Sequence, residues 1–158
     1  MSDAESIVKY ANDKLVAKNL ARLPHPYTIG DARAWLKKKQ NQYKQKNPTE
    51  FVFAIEIENE AVGSIGFNNI TVGHKAEMGY WIGRKYWGKG LMTEVVKNAS
   101  RYAFKVFKLR RLQTYTYPSN KASKRVLEKN NFKFEGVLKK GIRKEDMFFD
   151  AHIFAKVS

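Results

Sequence analysis

The sequence predicts a mixed α/β fold: a central, mostly antiparallel sheet with one parallel βαβ crossover. Three observations carry this. "FVFAIEIENEAVGSIGF" reads as an antiparallel hairpin rich in aromatic and β-branched residues. The longest helical pattern, from Gly88 to Phe107, lies between two strand patterns, "AEMGYWI" and "RLQTYTY". Two strands joined through one long helix run parallel, with a right-handed crossover. Finally, "MFFDAHIFAKV" closes the chain with strand-like alternation.

The elements follow in order. Ser6 to Leu20 reads as one helix, with Ile7, Ala11 and Leu15 at four-residue spacing. Two prolines in "RLPHPYT" end it. Thr28 is an N-cap with Asp31 as its capping-box partner. The helix they start carries Ala32, Trp35, Leu36 and Tyr43 on one side, and lysine and glutamine on the other. Strand Phe51–Glu58 turns at "NE" and returns over Ala61–Phe67, with "NITVGHK" as a loop or an extension of that strand. Ala76–Ile82 is the next strand. In the long helix, Leu91, Val95, Ala99, Tyr102 and Val106 form the expected inward stripe. Asn120 caps a helix from Lys121 to about Asn130. "FKFEGVLKK" and the closing segment are the last two strands.

The length, 158 residues, fits one domain over 1–158 with a core that needs no metal or disulfide. Absence of cysteine excludes disulfides, thiolate catalysis and Cys-ligated zinc. His25, His74 and His152 have no ligand spacing, so no metal is expected. No apolar run suits a transmembrane helix, and "MSDAESIVKY" lacks a signal-peptide core. A cytoplasmic protein is expected. Thirty Lys+Arg against fifteen Asp+Glu give a formal charge of +15, a surface that attracts polyanions such as nucleic acid, ribosomes, acidic peptides or a phosphorylated cofactor.

The segment "RKYWGKGLMTE" sits where a strand gives way to a helix. Gly88 and Gly90 allow the chain to wrap closely round a group. The helix start offers N–H groups without internal partners and the positive end of its dipole. Arg84, Lys85 and Lys89 add charge. A pyrophosphate suits such a turn. The P-loop pattern fails on spacing and on its Lys-Ser/Thr ending, and G-x-G-x-x-G fails because Thr93 stands at the third glycine position. A glycine turn with a solvated basic rim is the alternative.

"EMGYWIGRKYWGKGLMTEVV", then "NKASKRVLEKNNFKFEGVLKK", then "FFDAHIFAKV" together resemble the GNAT N-acetyltransferases, in the branch of the ribosomal-protein N-terminal (Rim-type) enzymes. The family turn (Q/R)-x-x-G-x-G/A is matched by Lys85, Tyr86, Trp87, Gly88, Lys89 and Gly90. A second signature is matched by Asn120, Ser123 and "EKNNF". Glu135–Gly136, Asp150 and "PYTIGDARAWL" also fit, so the resemblance runs from Pro26 to Val157. It implies a GNAT-like sheet with helices on both faces. It also implies acetyl-CoA as co-substrate, with the pyrophosphate on the amides of Lys85 to Gly90 and with Met92 and Thr93 close by. The pantetheine arm would lie along Trp81, Ile82 and Gly83, with Asn120 beside it. Two departures stand out. Lys85 occupies a Gln/Arg position, and the family's first edge strand is absent, which leaves an unpaired edge that favours a homodimer.

The implied reaction is direct attack of an amine on the thioester. Glu77 shares a strand face with Gly79 and Trp81 and is the candidate base; a sheet-surface carboxylate is the alternative. Ser123 is the candidate proton donor to the leaving thiolate; a serine bonded to its own helix is the alternative. Oxyanion donors are expected at Trp81–Gly83. The acceptor expected is a protein or peptide N-terminal α-amine, because a basic surface repels polycationic amines. A non-catalytic nucleic-acid or ribosome-binding module on the same fold is the competing reading.

Overall fold

The chain begins with two short helices where one is expected. The computed structural model describes residues 3–158. Helix α1 spans Ala4–Ala11 and α2 spans Lys14–Ala17. Asp13 separates them in an extended conformation, and its carboxylate accepts hydrogen bonds from the Leu15 and Val16 N–H groups. An aspartate that can satisfy helix-end donors competes with helix continuation. That corrects the single helix Ser6 to Leu20. Asn12 then accepts from the Tyr27 N–H at 2.9 Å, which folds the following loop back against α1.

Helix α3, Ile29–Tyr43, starts at the expected capping box: Thr28 and Asp31 exchange both bonds. Ala32, Trp35 and Leu36 pack with Ala4, Ile7, Ala11 and Tyr27 in a small core of their own.

The hairpin joins β1, Phe51–Ile57, to β2, Glu60–Thr71. Its turn is Glu58–Asn59, both with positive φ, one residue earlier than "NE". Two left-handed residues match the twist of the flanking strands. Strand β2 runs on to Thr71, so Asn69, Ile70 and Thr71 of "NITVGHK" extend the strand and the next three residues turn into β3. Strand β3 is Lys75–Ile82. A 3₁₀ turn at Arg84–Tyr86 leads to α4, Leu91–Val106. Then come β4, Arg111–Thr116, α5, Lys121–Lys129, β5, Lys133–Lys144, and β6, Met147–Val157.

The six strands order as β1-β2-β3-β4-β6-β5, and only β3 and β4 run parallel. The crossover is α4, as expected. Its inward stripe is not. Met92, Val96, Ser100 and Ala103 are buried, whereas Tyr102 and Val106 are 41% and 48% exposed. Leu91, Val95 and Ala99 flank the core. The helix has a broad apolar arc, and the small residues Ser100 and Ala103 let its axis approach the sheet.

No strand precedes α1 among the described residues, so β1 is an edge. Part of that edge is covered. The Tyr43 hydroxyl donates to the Val52 carbonyl at 2.7 Å and accepts from the Val52 N–H at 2.9 Å. No helix among the described residues is long and apolar enough to cross a membrane.

Candidate functional site

The site begins with a gap in the sheet. Strands β3 and β4 pair only through Lys75–Arg111, Ala76–Leu112 and Glu77–Gln113. Beyond those pairs they separate into a wedge, while β3 stays bonded to β2 and β4 to β6. Gly83 donates its N–H to the Val62 carbonyl at 2.8 Å. Strand alternation then turns the main-chain groups of Met78, Tyr80 and Ile82 toward the wedge. The Ile82 carbonyl is engaged by the Trp87 indole N–H at 2.8 Å. One expectation narrows: the Gly83 amide is bonded to β2, so of Trp81–Gly83 only Ile82 turns its amide to the wedge, while Trp81 packs its ring between the two cores. The amides of Tyr80 and Ile82 are the wedge-facing donors.

At the open end of β3 the chain forms the anticipated turn. Gly88 and Gly90 have φ of 74° and 76°, the left-handed region that favours glycine. Gly90 is the N-cap of α4 and offers no side-chain oxygen to the first helix amides. Those amides and the dipole remain for a ligand. The ammonium groups of Lys85 and Lys89 each lie 5.6 Å from the Tyr86 ring centroid, which keeps both charges at the turn. Arg84 differs: it pairs with Asp13 at 3.1 Å and ties the turn to α2. Tyr86 is buried against Tyr10, and Met92 points into the core, so their side chains pack. Thr93 gives its carbonyl to Asn130.

On the α4 side of the sheet, Tyr80 reaches across the wedge to α5. Its hydroxyl lies 2.7 Å from the Ser123 hydroxyl. Burial raises the Tyr80 phenol to about 12, against a smaller opposing effect of that bond. Asn120 accepts from the Ser123 N–H at 3.1 Å, the expected cap. Sequence reading missed Tyr80, because its partner lies 43 residues away.

On the other side of the sheet stands Glu77, half-buried, flanked in register by Asn68 and Gln113. Gly79, next on that face, has open space around it. Gln113 donates to the Tyr115 hydroxyl at 2.7 Å and accepts from Arg111 at 2.8 Å, and Arg111 forks onto Glu135. The Tyr115 phenol is raised, first by burial and then by the nearby Glu77 carboxylate. Only the alternation of "RLQTYTY" hinted at this polar row. Glu77 and Ser123 therefore flank the wedge from opposite faces. A gap edged by main-chain groups without a strand partner, closed by a turn that offers helix-start amides and two lysines, fits an elongated ligand with amides and phosphates.

The sequence pattern of the Acetyltransferase (GNAT) domain family matches residues 1–133. The chain is 27% identical over 156 residues to the uncharacterized N-acetyltransferase p20 of Bacillus licheniformis, covering 98% of this chain and 87% of that protein. It is 37% identical over 99 residues to the [ribosomal protein uS5]-alanine N-acetyltransferase of Escherichia coli, covering 61% and 51%. Among solved structures, an acetyltransferase (GNAT family) from Bacillus anthracis superimposes with a TM-score of 0.82 at 29% identity, over 99% of this chain and 89% of that one. The alternative of a non-catalytic basic module gains no support from these relatives, which are named as acetyltransferases.

Proposed function

The chain belongs to the GNAT acetyltransferase family, and from that premise we propose that it moves the acetyl group of acetyl-CoA to a protein or peptide N-terminal α-amine, by direct attack within a ternary complex. The observation that carries this is the wedge, with Glu77 on one face and the Ser123–Tyr80 pair on the other.

The amides from Lys85 to Gly90 and at the start of α4, including Met92 and Thr93, hold the pyrophosphate, with Lys85 and Lys89 supplying charge. Strand end Trp81–Gly83 and Asn120 border the pantetheine arm. Tyr86 and Trp87 shape the turn by packing. Acetyl-CoA supplies the activated acyl group. An α-ammonium has a pKa of roughly 7.7–8.0 and must lose a proton to attack, a demand a modest base meets. Glu77 removes that proton. The Tyr80 and Ile82 amides stabilise charge on the carbonyl oxygen. Ser123 supplies a proton to the departing sulfur as the carbon–nitrogen bond replaces the carbon–sulfur bond. The second proton given up by the amine nitrogen restores the serine.

The same reading takes 1–158 as one acetyltransferase domain working in the cytoplasm. It includes weak RNA or ribosome association, supported by Lys97, Arg101, Lys105, Lys129 and Lys156 around one groove. Homodimerisation would use the outer edge of β1 beyond Val52.

The test is acetylation of a peptide with a free N-terminus, with the acetylated nitrogen located by mass spectrometry. Glu77→Gln and Ser123→Ala should each lower kcat by about 10²–10⁴ while acetyl-CoA binding persists. Acetyl found only on lysine side chains would overturn the acceptor assignment. Undiminished kcat in both variants would overturn the roles.

A further inference from the structure

A second cavity, of ≈ 430 Å³, opens between the segment that carries α2, the end of β4 and the β5–β6 hairpin. Lys14, Lys18 and His25 stand on one side of it, with Lys144 and Phe149 on the other. Among the described residues no carboxylate lines it. Of the nearby acids, Asp13 holds the α2 amides and Arg84, Asp146 pairs with Arg143 at 3.8 Å, and Glu145, at the exposed hairpin tip, acts on Lys144 from outside the lining.

Two features make this more than a basic surface. Lys144 is clamped, its ammonium donating to the Ala17 and Leu20 carbonyls at 2.5 and 3.0 Å, and burial lowers its pKa. Those bonds tie the hairpin to the α2 segment across the cavity. Tyr117 lines the cavity, is only 7% exposed, and its buried hydroxyl has no partner among the described residues. Buried polar groups are normally paired, so such a donor awaits an acceptor atom.

The cavity adjoins the chemistry. Tyr117 and Ser119 are on its wall, and Asn120, next in the chain, caps the helix that carries Ser123. We propose that the cavity binds the first side chains after the acceptor amine and selects peptides acidic there. Lys14 and Lys18 pair with the carboxylates, Tyr117 donates to one acceptor oxygen, and Phe149 takes the apolar stem. This rests on the N-terminal α-amine reading above.

The test uses three peptides with the same free N-terminal residue and with acidic, neutral or basic residues at positions two to four. Binding to the CoA-loaded protein is followed by anisotropy, and acetylation is followed separately. The acidic peptide should exceed the neutral one by about tenfold in kcat/KM at low salt, chiefly through KM. Lys14→Glu with Lys18→Glu should abolish or invert that order, with acetyl-CoA affinity unchanged. Tyr117→Phe should raise KM for the acidic peptide and leave kcat alone. Equal transfer to all three peptides would overturn the proposal and leave the transferase reading intact. Acidic-peptide binding that needs Lys14 and Lys18, without any acetylation, would uphold the cavity and remove the N-terminal reading. No binding of any peptide would remove the cavity assignment.

Discussion

The hydroxyl oxygens of Tyr80 and Ser123 lie 2.7 Å apart, joining β3 to α5 across the gap where the sheet has parted. Either oxygen can donate in this pair. When a group in the wedge accepts from Ser123, Tyr80 can donate in turn. In the proposed reaction the tyrosine would orient the serine hydroxyl toward the wedge. Tyr80→Phe should lower kcat by about tenfold, less than Ser123→Ala, and leave KM for acetyl-CoA within about twofold. Steady-state kinetics with both substrates varied would check this. Equal kcat in Tyr80→Phe and the parent protein would remove the orienting role.

The pH dependence of stability follows from the same phenol. Burial raises Tyr80 to about 12 and also raises Tyr27 and Tyr117. Below about pH 10 both folded and unfolded chains hold these protons, and the contribution is whole. Above it the unfolded chain loses protons that the folded chain keeps, so stability falls as pH rises toward the folded value. Melting temperature should therefore drop between about pH 10 and about pH 12, with a shallower slope in Tyr80→Phe. Thermal melts read alongside phenolate absorbance would show it. An identical slope in the variant contradicts it.

Gly90→Ala places a Cβ on a residue with φ of 76°. The left-handed conformation costs an L-residue roughly 1–2 kcal/mol. The cost appears twice, as a melting temperature lower by about 2–8 °C and as weaker acetyl-CoA binding. Calorimetry should give a Kd raised about tenfold or more. Unchanged affinity would mean that the turn does not hold the phosphates.

Trp87→Phe keeps an aromatic, though smaller, ring and removes the N–H donated to Ile82. About 1 kcal/mol of stability should be lost. Acetyl-CoA affinity should fall a few-fold with little change in kcat, because the bond holds the turn and touches no reacting atom. Titration and kinetics on the same preparation would separate the two effects.

Asp13→Asn and Asp13→Ala divide two roles of one carboxylate. Asparagine keeps the cap and loses only the pair with the exposed Arg84, costing about 0–1 kcal/mol. Alanine loses the cap as well and should cost about 0.5–2 kcal/mol more. Denaturant midpoints of the three proteins should fall in the order parent, Asp13→Asn, Asp13→Ala. Equal midpoints for the two variants would assign the whole effect to the ion pair.

Local chemistry was readable wherever partners are close in the chain. The Thr28–Asp31 box, the Asn120 cap and the two glycines of the turn announced themselves by residue type and spacing. Asp13 was readable in principle, since "ND" is a cap signal, but the apolar spacing of Ile7, Ala11 and Leu15 concealed the break. The α4 stripe misled because its apolar arc is wide and the line nearest the sheet includes the polar Ser100. Nothing local encodes the parting of β3 and β4. It shows only once β3 is seen to keep its pairing with β2, and β4 with β6, beyond the last β3–β4 pair. Tyr80, Tyr115 and Gln113 stayed hidden for the same reason: a strand pattern assigns a face but not what lies across it.

The short seam between β3 and β4 has a mechanical meaning. Three residue pairs join the half-sheet β1-β2-β3 to the half-sheet β4-β6-β5. A bound co-substrate that bridges the wedge acts as mortar between two masonry blocks. Filling the joint should stiffen the whole wall, so heat resistance and slow amide exchange at Met78 and Tyr80 become gauges of cargo, readable before a single acetyl group has moved.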